Sequence, residues 1–550
     1  MLVAGAGAGG MTAALVAALQ GLEVLLCEKS DQVGGTTATS AGTVWIPRDR
    51  DAARTYLEAL IGGSRALALR DAYLSAAPAA LDYLAANTEV KFTSAGRHPD
   101  YRELQGAAVE GRAFSSLPFD GRLLGAEFRR IRSPIPEFMV LGGMMVAKSD
   151  IAPLLGCWSS RANFVHSARL VARYAADRFR YPRGTRLVMG NALVARLFYS
   201  LRRQDVAIAF RAPLVELISD RSRVIGARVG EMRIKARRAV VLATGGYGQN
   251  PALRGAYMPA SAPRYSLSCP ESEGDGMTVA RRVGAAVAGH RSGALWTPAS
   301  RTARRNGTRG LFPHLILDRA KPGLIAVNSA GRRFVNEGCS YHDFAEAMFE
   351  SHTRVPSIPA YLVCDSGFVA RYGLGAIRPG TRRLRRHEVS GSIVCAPTVS
   401  ELALKLGIDA DALEDTVSRH NEFARIGEDR DFGKGSTVLN RFNGDPGRPH
   451  PCLGAIRQAP YCAMPVWPAD LGVSTGLMTD SHARVLDENS QPIAGLYACG
   501  NDMASIFEGT YPGPGTTLGP ALTFAYRAAL HASQQSPASR QVDTFHSQLS

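Results

Sequence analysis

A tyrosine hydroxyl and a glycine amide near the C-terminus could together bind a carbonyl oxygen. Tyr511 lies four residues before Gly515 in the segment 509–520, Gly-Thr-Tyr-Pro-Gly-Pro-Gly-Thr-Thr-Leu-Gly-Pro. A phenol and a backbone N–H are neutral donors of the kind that stabilise developing negative charge on an oxygen. The flanking glycines leave Tyr511 little to pack against, which favours a functional role over a structural one. The pair predicts a site that activates a ketone.

The N-terminus carries the pattern of a dinucleotide-binding βαβ unit. Gly5, Gly7 and Gly10 follow a short apolar strand and open a helical run, and a second strand at 24–26 leads to Glu28. The glycines permit a tight turn and bring a pyrophosphate onto the helix N-terminus, while the acid can accept hydrogen bonds from a ribose hydroxyl. Strand, helix, strand and acid in this order favour a nucleotide-binding unit over an accidental glycine-rich turn. Because the first strand begins almost at residue 1, the sequence leaves open whether this start truncates it.

Three further segments are expected to position a nucleotide cofactor. Residues 34–42 are small and rich in threonine, and could lie along an extended cofactor. Residues 239–246 read as a buried strand that ends in a second glycine turn. Residues 521–531 read as a helix, whose N-terminus near 516–519 would direct its positive dipole at the cofactor. The two ends of the chain therefore predict one flavoenzyme site beside an activated ketone.

Composition favours a compact soluble enzyme with two domains. The chain has 550 residues, of which 45% are hydrophobic and 20% are charged, enough for two sizeable cores. The formal charge of +16 comes from arginines scattered as short pairs such as Arg129–Arg130. No basic run is interleaved with aromatic residues, as nucleic-acid binding would require. We expect a basic surface with weak, incidental attraction to acidic lipid and no nucleic-acid partner.

The cysteines and the N-terminus point to a reducing cytoplasm. Nine cysteines lie far apart without a C-x-x-C pair, which predicts free thiols and no zinc or iron–sulfur site. Residues 1–19 are apolar but lack a basic n-region and carry the fingerprint glycines, so they are interpreted as mature protein. No apolar run approaches the roughly 20 residues of a membrane span. Residues 533–550 are predicted to form a frayed polar tail.

Over nearly its whole length the chain resembles the fumarate reductase and succinate dehydrogenase flavoprotein superfamily. The segments that carry the resemblance are the N-terminal fingerprint, 34–42, 243–246, 331–337, 480–487 and 495–520. Within the superfamily, 340–344 and 510–515 resemble the 3-ketosteroid 1-dehydrogenase branch. Fumarate reductases have arginines that donate a proton and bind the dicarboxylate where this chain has Tyr341 and the Tyr511–Pro512 region. Since a guanidinium suits a carboxylate and a phenol suits a neutral oxygen, a ketone substrate is favoured over a diacid.

The resemblance implies an α/β architecture and an FAD cofactor. A discontinuous Rossmann-like FAD-binding domain is expected over 1–260 and 454–550, with an inserted α+β catalytic domain over 261–453 and the active site in the cleft. Since 28–42 contains no histidine, the FAD is expected to be non-covalent. The implied cofactor-binding residues are Gly5, Gly7, Gly10, Glu28, Lys29, Gly35, Thr36, Thr37, Ser40, Gly42, Ala243, Thr244, Gly245, Gly500, Asn501, Thr516 and Leu518.

The resemblance also implies a reaction, the dehydrogenation of a 3-oxosteroid between carbons 1 and 2. Tyr511 and Gly515 would hold the 3-oxo oxygen, a tyrosinate at Tyr341 would take the proton from carbon 2, and the hydride on carbon 1 would pass to the flavin. Tyr101 would assist the base. Two structural alternatives stay open: Tyr341 lies on a helical face with Phe344 and could be core, and Tyr101 could be a surface tyrosine.

The same residues are also compatible with other functions. The same donor pair would serve dehydrogenation at another ring position, or of a different cyclic ketone or enone. A fumarate reductase-like enzyme and a non-catalytic flavin-binding protein are further alternatives. The steroid side chain, the electron acceptor and the oligomeric state are not fixed by the sequence.

Overall fold

The core of the nucleotide-binding part is a sheet of mainly parallel strands. A computed structural model describes residues 1–63, 66–220, 223–290, 292–304, 306–381 and 383–535. Leu2–Ala4 is central and pairs in parallel with Leu25–Glu28 on one side and Val240–Leu242 on the other. The remaining strands of this sheet are Ala207–Phe210, Leu214–Asp220, Arg223–Val229, Met232–Lys235, Arg484–Leu486 and Pro492–Ala498. The predicted α/β nucleotide-binding fold is confirmed, including its discontinuity, because Pro492–Ala498 returns beside Val240–Leu242.

Small residues allow the helices over this sheet to approach closely. Helix Ala8–Leu19 packs against Leu518–Gln534, the helix that ends the described chain. Their buried faces are mainly alanine, among them Ala13, Ala17 and Ala528. Close helix contact favours small side chains because larger ones would force the axes apart. This packing holds the two helix N-termini beside the same end of the sheet.

A second, mostly antiparallel sheet forms the other wall of the molecule. Its strands are Ala294–Ala303, Arg309–Pro313, Leu324–Val327, Ala360–Asp365, Val394–Ala396 and Tyr461–Val473. The long strand Tyr461–Val473 pairs with both Ala294–Ala303 and Ala360–Asp365. Tyr461–Val473 follows the domain boundary predicted at residue 454, yet it belongs to the second sheet. This one continuous strand then leads the chain back toward the nucleotide-binding part.

The remaining elements surround these two sheets. Short strands are Thr43–Trp45, Phe92–Ser94, Ala113–Ser116, Phe119–Asp120, Met139–Val140, Met144–Met145, Arg186–Leu187, Val287–Ala288 and Gly476–Leu477. Further α-helices are Arg50–Ile61, Leu67–Asn87, Lys148–Leu155, Arg161–Arg178, Met189–Arg203, Pro251–Tyr257, Asp275–Arg282, Tyr341–His352, Ser366–Tyr372, Arg385–Val389, Val399–Leu406, Ala410–Ile426 and Val438–Asn443. Short 3-10 helices are Gly35–Thr39, Gly121–Arg130, Pro136–Phe138 and Gly500–Asp502.

Three observations concern the predicted tail, the cysteines and the membrane. Most of the tail predicted at 533–550 lies outside the described residues, since helix Leu518–Gln534 is followed by only one described residue. All nine cysteines are free thiols. Within the described ranges, no helix is both long enough and apolar enough to cross a bilayer.

Candidate active site

One cavity of about 1030 Å³ extends from the glycines predicted to bind a nucleotide to the second sheet. A single-ligand pocket usually measures ~300–1,000 Å³, so this cavity is at the upper end of that range and has room for a cofactor and a second molecule. All four predicted catalytic residues lie on its wall, namely Tyr101, Tyr341, Tyr511 and Gly515. The predicted cofactor-binding residues on the wall are Gly5, Gly7, Glu28, Lys29, Gly35, Thr36, Thr37, Ser40, Gly42, Ala243, Thr244, Gly245, Gly500, Asn501 and Leu518.

The nucleotide end of the cavity is shaped to accept a pyrophosphate and a ribose. Gly7 is the N-cap of helix Ala8–Leu19, whose first turn has no acidic residue, and a Cβ at Gly7 would meet only open space. The helix N-terminus can therefore receive an anion without repulsion or steric hindrance. Glu28 accepts the Ala6 amide at 2.7 Å and the Ser30 amide at 2.8 Å, and burial raises its pKa. These features fit the adenosine part of FAD.

Two of the predicted cofactor-binding residues lie outside the cavity wall. A Cβ at Gly10 would lie 1.8 Å from the Gly5 carbonyl oxygen, so this glycine allows the helix to approach the first strand. The Thr516 hydroxyl donates to the Gly513 carbonyl at 2.5 Å and is buried within its own turn. Its neighbour Thr517 lies on the wall instead.

A buried aspartate that the sequence reasoning did not identify organises the glycine turn after Val240–Leu242. Asp502 accepts hydrogen bonds from the Thr244 amide, the Thr244 hydroxyl at 2.9 Å and the Gly246 amide at 3.1 Å. Burial raises the pKa of Asp502 to about 6. The only signal in the sequence was an acid placed directly after the predicted contacts Gly500 and Asn501. Asp502 thus joins two cofactor-facing loops that are distant in the sequence.

Polar contacts also attach the segment 269–275 to the predicted cofactor-binding residues. Lys29 forms ion pairs with Glu273 and with Asp275, the latter at 3.1 Å. The Thr36 hydroxyl accepts the Cys269 amide at 2.9 Å. This segment therefore forms part of the frame around the nucleotide end.

At the other end of the cavity, three tyrosines from distant parts of the chain meet. The Tyr101 hydroxyl donates to the Tyr341 hydroxyl oxygen at 3.2 Å. The ring centroid of Tyr511 lies 5.1 Å from that of Tyr341 and 5.6 Å from that of Tyr101. All three side chains are buried together with Leu295 and Leu439. Tyr101 is thus not a surface residue, and Tyr341 lies in this cluster, whereas Phe344 belongs to the neighbouring core.

Backbone contacts fix the positions of these tyrosines relative to one another. The Pro512 carbonyl accepts the Tyr101 amide at 2.9 Å and the Tyr56 hydroxyl at 2.7 Å. Arg102 forms a fork with the Asp343 carboxylate at 2.9 and 2.8 Å. The loop of Tyr101 is therefore joined both to the Tyr511 segment and to the helix that begins at Tyr341.

Gly515 combines a required backbone conformation with an available amide. Its φ is +95°, and a Cβ would lie 2.5 Å from the Thr43 carbonyl oxygen. The close approach to Thr43 and the left-handed conformation both demand glycine. Among the described residues none accepts a hydrogen bond from the Gly515 amide, which lies on the cavity wall. The amide can therefore donate to a bound molecule.

Burial favours the neutral form of the tyrosines, and one buried cation opposes this effect. Burial raises the pKa of Tyr341 and of Tyr511 well above the ordinary value. The positive charge of buried Arg319 acts on Tyr341 in the opposite direction. Arg319 donates to the carbonyls of Glu337 at 2.9 Å and Cys339 at 3.2 Å, directly before Tyr341 in the chain. The site therefore holds a cation that can stabilise a phenolate.

The wall between the tyrosines and solvent is mainly apolar. Its members include Ile135, Phe138, Met139, Val140, Phe312, Leu315, Leu317, Phe442 and Leu471. Met144 and Met145, in contrast, are buried and do not line the cavity. Such a surface favours a hydrophobic ligand with few polar groups. Across the described residues, no group of three or more His, Cys, Asp and Glu side chains could hold a metal ion.

Comparison with known proteins gives one matching family and several relatives of nearly full length. Residues 1–518 match the family described as FAD binding domain. The chain is 35% identical to the 3-oxosteroid 1-dehydrogenase of Mycobacterium tuberculosis, covering 97% of this chain and 98% of the relative. It is also 35% identical to the 4-oxocyclohex-2-ene-1-carboxylate 5-dehydrogenase of Sinomonas cyclohexanicum, covering 96% and 92% respectively.

One solved structure resembles this chain in sequence and fold, and a second resembles it in fold alone. The 3-ketosteroid delta1-dehydrogenase of Sterolibacterium denitrificans, in complex with 1,4-androstadiene-3,17-dione, is 36% identical, with a TM-score of 0.90 and coverage of 97% of this chain and 98% of that one. A flavocytochrome c3 fumarate reductase has a TM-score of 0.60 at 20% identity, and this similarity concerns the fold alone.

Proposed function

The chain belongs to the FAD-binding family of the 3-oxosteroid 1-dehydrogenases and is an FAD-dependent oxidoreductase, and from this premise we propose that it introduces a double bond between carbons 1 and 2 of a 3-oxosteroid. One observation carries the proposal. The cavity that begins at the nucleotide-binding glycines ends at three buried tyrosines and an available glycine amide. A hydrophobic ketone fits the apolar wall between them.

Tyr511 and Gly515 are the proposed ligands of the 3-oxo oxygen. The phenol and the amide would donate to this oxygen and stabilise the negative charge that develops on it during enolisation. A donor of this type contributes about 3 kcal/mol to stabilisation of the transition state in other enzymes. This stabilisation would make the hydrogen on carbon 2 more acidic.

Tyr341 is the proposed base that takes this proton. Because burial raises the pKa of Tyr341, its phenolate is scarce at neutral pH and requires stabilisation by its surroundings. The Tyr101 hydroxyl donates to it at 3.2 Å, and the charge of Arg319 favours its anionic form. When bound, FAD supplies the acceptor for the hydride that leaves carbon 1. Loss of one proton and one hydride leaves the double bond.

The decisive experiment is an anaerobic titration of the yellow protein with androst-4-ene-3,17-dione. We expect bleaching of the flavin absorbance and a product lighter by two hydrogens. The ring-A absorbance of the product separates a double bond at carbons 1 and 2 from one at another position. A flavin that stays oxidised with this steroid and with related 3-oxosteroids would overturn the proposal.

A second candidate function is dehydrogenation of a small cyclic ketone that carries a carboxylate. It is favoured by the relative of Sinomonas cyclohexanicum, which is as similar to this chain as the steroid enzyme is. Titration with 4-oxocyclohexanecarboxylate under the same conditions distinguishes the two candidates. Bleaching by this acid, in the absence of any response to steroids, would support the second.

We further propose that the molecule has two parts and a non-covalent flavin. The FAD-binding part would comprise the parallel sheet and its helices, and the catalytic part the second sheet, with the return crossing after strand Tyr461–Val473. Filtration after denaturation should remove the yellow colour from the protein. Free thiols in all nine cysteines support a reducing compartment, which fractionation of the source cells would test.

A further inference from the structure

An ammonium group lies on the wall of the same cavity as the donor pair for the ketone. Lys148 begins helix Lys148–Leu155, lines the cavity and places its Nζ 4.4 Å from the ring centroid of Phe442. A cation over an aromatic face is moderately stabilised, but the ring supplies no counter-charge. Within the described residues, Lys148 forms no ion pair.

The acidic residues of the wall are already occupied. Glu28 accepts two backbone amides. Glu137 pairs with Arg304 at 2.8 Å, Glu271 with Arg132 at 2.7 Å and Asp275 with Lys29 at 3.1 Å. These are the acidic residues on the described part of the wall. The chain itself therefore offers no partner on this wall for the ammonium of Lys148.

The positive charge of Lys148 lowers the pKa of neighbouring groups, and these groups do not neutralise it. It adds to burial in lowering the pKa of His98 to about 4, and it also acts to lower the pKa of Lys321, which burial lowers most. Lys321 is directed elsewhere, donating to the Gly444 carbonyl at 2.6 Å. A bound anion would relieve this accumulation of positive charge.

The path between Lys148 and the ketone-binding end indicates the size of the ligand. His98 lies 4.9 Å from Phe442 and 6.5 Å from Tyr101, measured between ring centroids, and Tyr101 contacts Tyr511. Neither His98 nor Phe442 is among the described rings in contact with Tyr511. The rings of Phe442, His98 and Tyr101 therefore connect Lys148 to Tyr511. A series of three rings suits a ligand of four fused rings with a side chain better than one six-membered ring.

We propose that the substrate is a 3-oxosteroid whose side chain ends in a carboxylate, and that Lys148 binds this carboxylate. The inference rests on the proposed function and specifies its substrate class. The ketone would lie at Tyr511 and Gly515 and the apolar rings along the wall. Lys148 would act as a specificity-determining residue without taking part in the chemistry.

The test compares an acid with its neutral ester in two variants of Lys148 and one control variant. The probes are 3-oxochol-4-en-24-oate, its methyl ester and androst-4-ene-3,17-dione. Lys148→Met keeps the apolar stem and removes the charge, Lys148→Arg restores a cation, and Lys235→Met removes an exposed lysine outside the cavity wall. We expect Lys148→Met to lower kcat/KM for the acid by about two- to fivefold, mainly through KM, since a partly solvated ion pair is of this strength. Lys148→Arg should restore most of the loss.

The neutral probes distinguish a failure of the role proposed for Lys148 from a failure of the proposed steroid dehydrogenation. Turnover of both neutral steroids should be unchanged in Lys148→Met, and the acid preference of the unaltered enzyme should weaken as salt rises. Equal losses for acid and ester, or no loss for either, would overturn the role of Lys148 while leaving steroid dehydrogenation intact. Failure of all three steroids would instead overturn the proposed function. A response confined to 4-oxocyclohexanecarboxylate would overturn the steroid carboxylate together with the proposed function, in favour of the second candidate.

Discussion

The two ends of the cavity are constructed in different ways. At the nucleotide end, short continuous segments provide backbone groups, glycines and a helix N-terminus, as in the stretch from Gly5 to helix Ala8–Leu19. At the ketone end, three side-chain rings converge from residues 101, 341 and 511. The first construction depends mainly on the backbone of short local segments, which long-range contacts such as those of Asp502 hold together. The second depends on side chains from distant segments. Substitutions should therefore affect cofactor retention at one end and turnover at the other.

The largest expected effect is loss of turnover in Tyr341→Phe. Removing a general base typically lowers kcat by about 10²–10⁴-fold, and the nucleotide end is untouched, so FAD content should stay constant. Stopped-flow reduction of the flavin by steroid measures the rate. Tyr361→Phe is the control, because Tyr361 lies in strand Ala360–Asp365 and away from the cavity wall. Equal rates in the two variants would rule out Tyr341 as the base.

Tyr511→Phe should have the next largest effect. It removes one donor to the ketone oxygen, and such a loss typically costs about 10²–10³-fold in kcat. The flavin should again be retained. If only KM changed, Tyr511 would contribute equally to substrate and transition state, and its proposed role in charge stabilisation would be wrong.

Gly10→Ala tests the other side of the comparison. The added Cβ would lie 1.8 Å from the Gly5 carbonyl oxygen, so the first strand and helix must move apart. Forced overpacking usually costs about 1–3 kcal/mol, and we expect a lower melting temperature and reduced FAD content, with kcat per bound flavin little changed. Gly255→Ala is the control, since a Cβ there meets nothing within 4 Å. Full flavin occupancy in Gly10→Ala would contradict the local, backbone-based account.

The smallest effect is expected for Tyr101→Phe, and it is measured from the dependence of kcat/KM on pH. Because burial raises the pKa of Tyr341, its phenolate fraction and hence kcat/KM should rise with pH throughout the range below that pKa. Loss of the Tyr101 hydroxyl removes the hydrogen bond donated to the Tyr341 oxygen, so kcat/KM should fall by about tenfold at each pH in this range, which corresponds to one hydrogen bond to a charged group. A profile that is flat between pH 6 and 9 would exclude a tyrosine base.

The sequence predicted the nucleotide end better than the tertiary arrangement around it. The spacing of Gly5 and Gly7 predicted the strand, turn and helix because these features are local. Gly10 was also assigned to the cofactor, and the structure places it against the Gly5 carbonyl, because spacing alone cannot say which atom a glycine accommodates. Asp502 was missed because its partners Thr244 and Gly246 are more than 250 residues earlier in the chain.

At the ketone end, family resemblance supplied what spacing could not. The pair Tyr511 and Gly515 was visible as a local pattern, but no pattern in the sequence brings Tyr101 to Tyr341. The fork between Arg102 and Asp343 holds the loop of Tyr101 against the helix that begins at Tyr341, a contact that no spacing in the sequence indicates. Lys148 was not noticed, because a lysine at the start of a helix is common and only the fold shows it on a wall without a counter-ion.

The carbonyl of Pro512 gives the molecule an internal reporter of cleft opening. Its bond to the Tyr101 amide joins the loop of Tyr101 to the Tyr511 segment beside the ketone site, so that amide proton can exchange with solvent only when the two loops separate. Hydrogen–deuterium exchange of a peptide containing Tyr101 would therefore measure how often the site opens without any substrate. If steroid enters through this seam, the opening rate sets an upper limit on the association rate. If exchange is much slower than turnover, the ligand must enter past the other walls of the cavity.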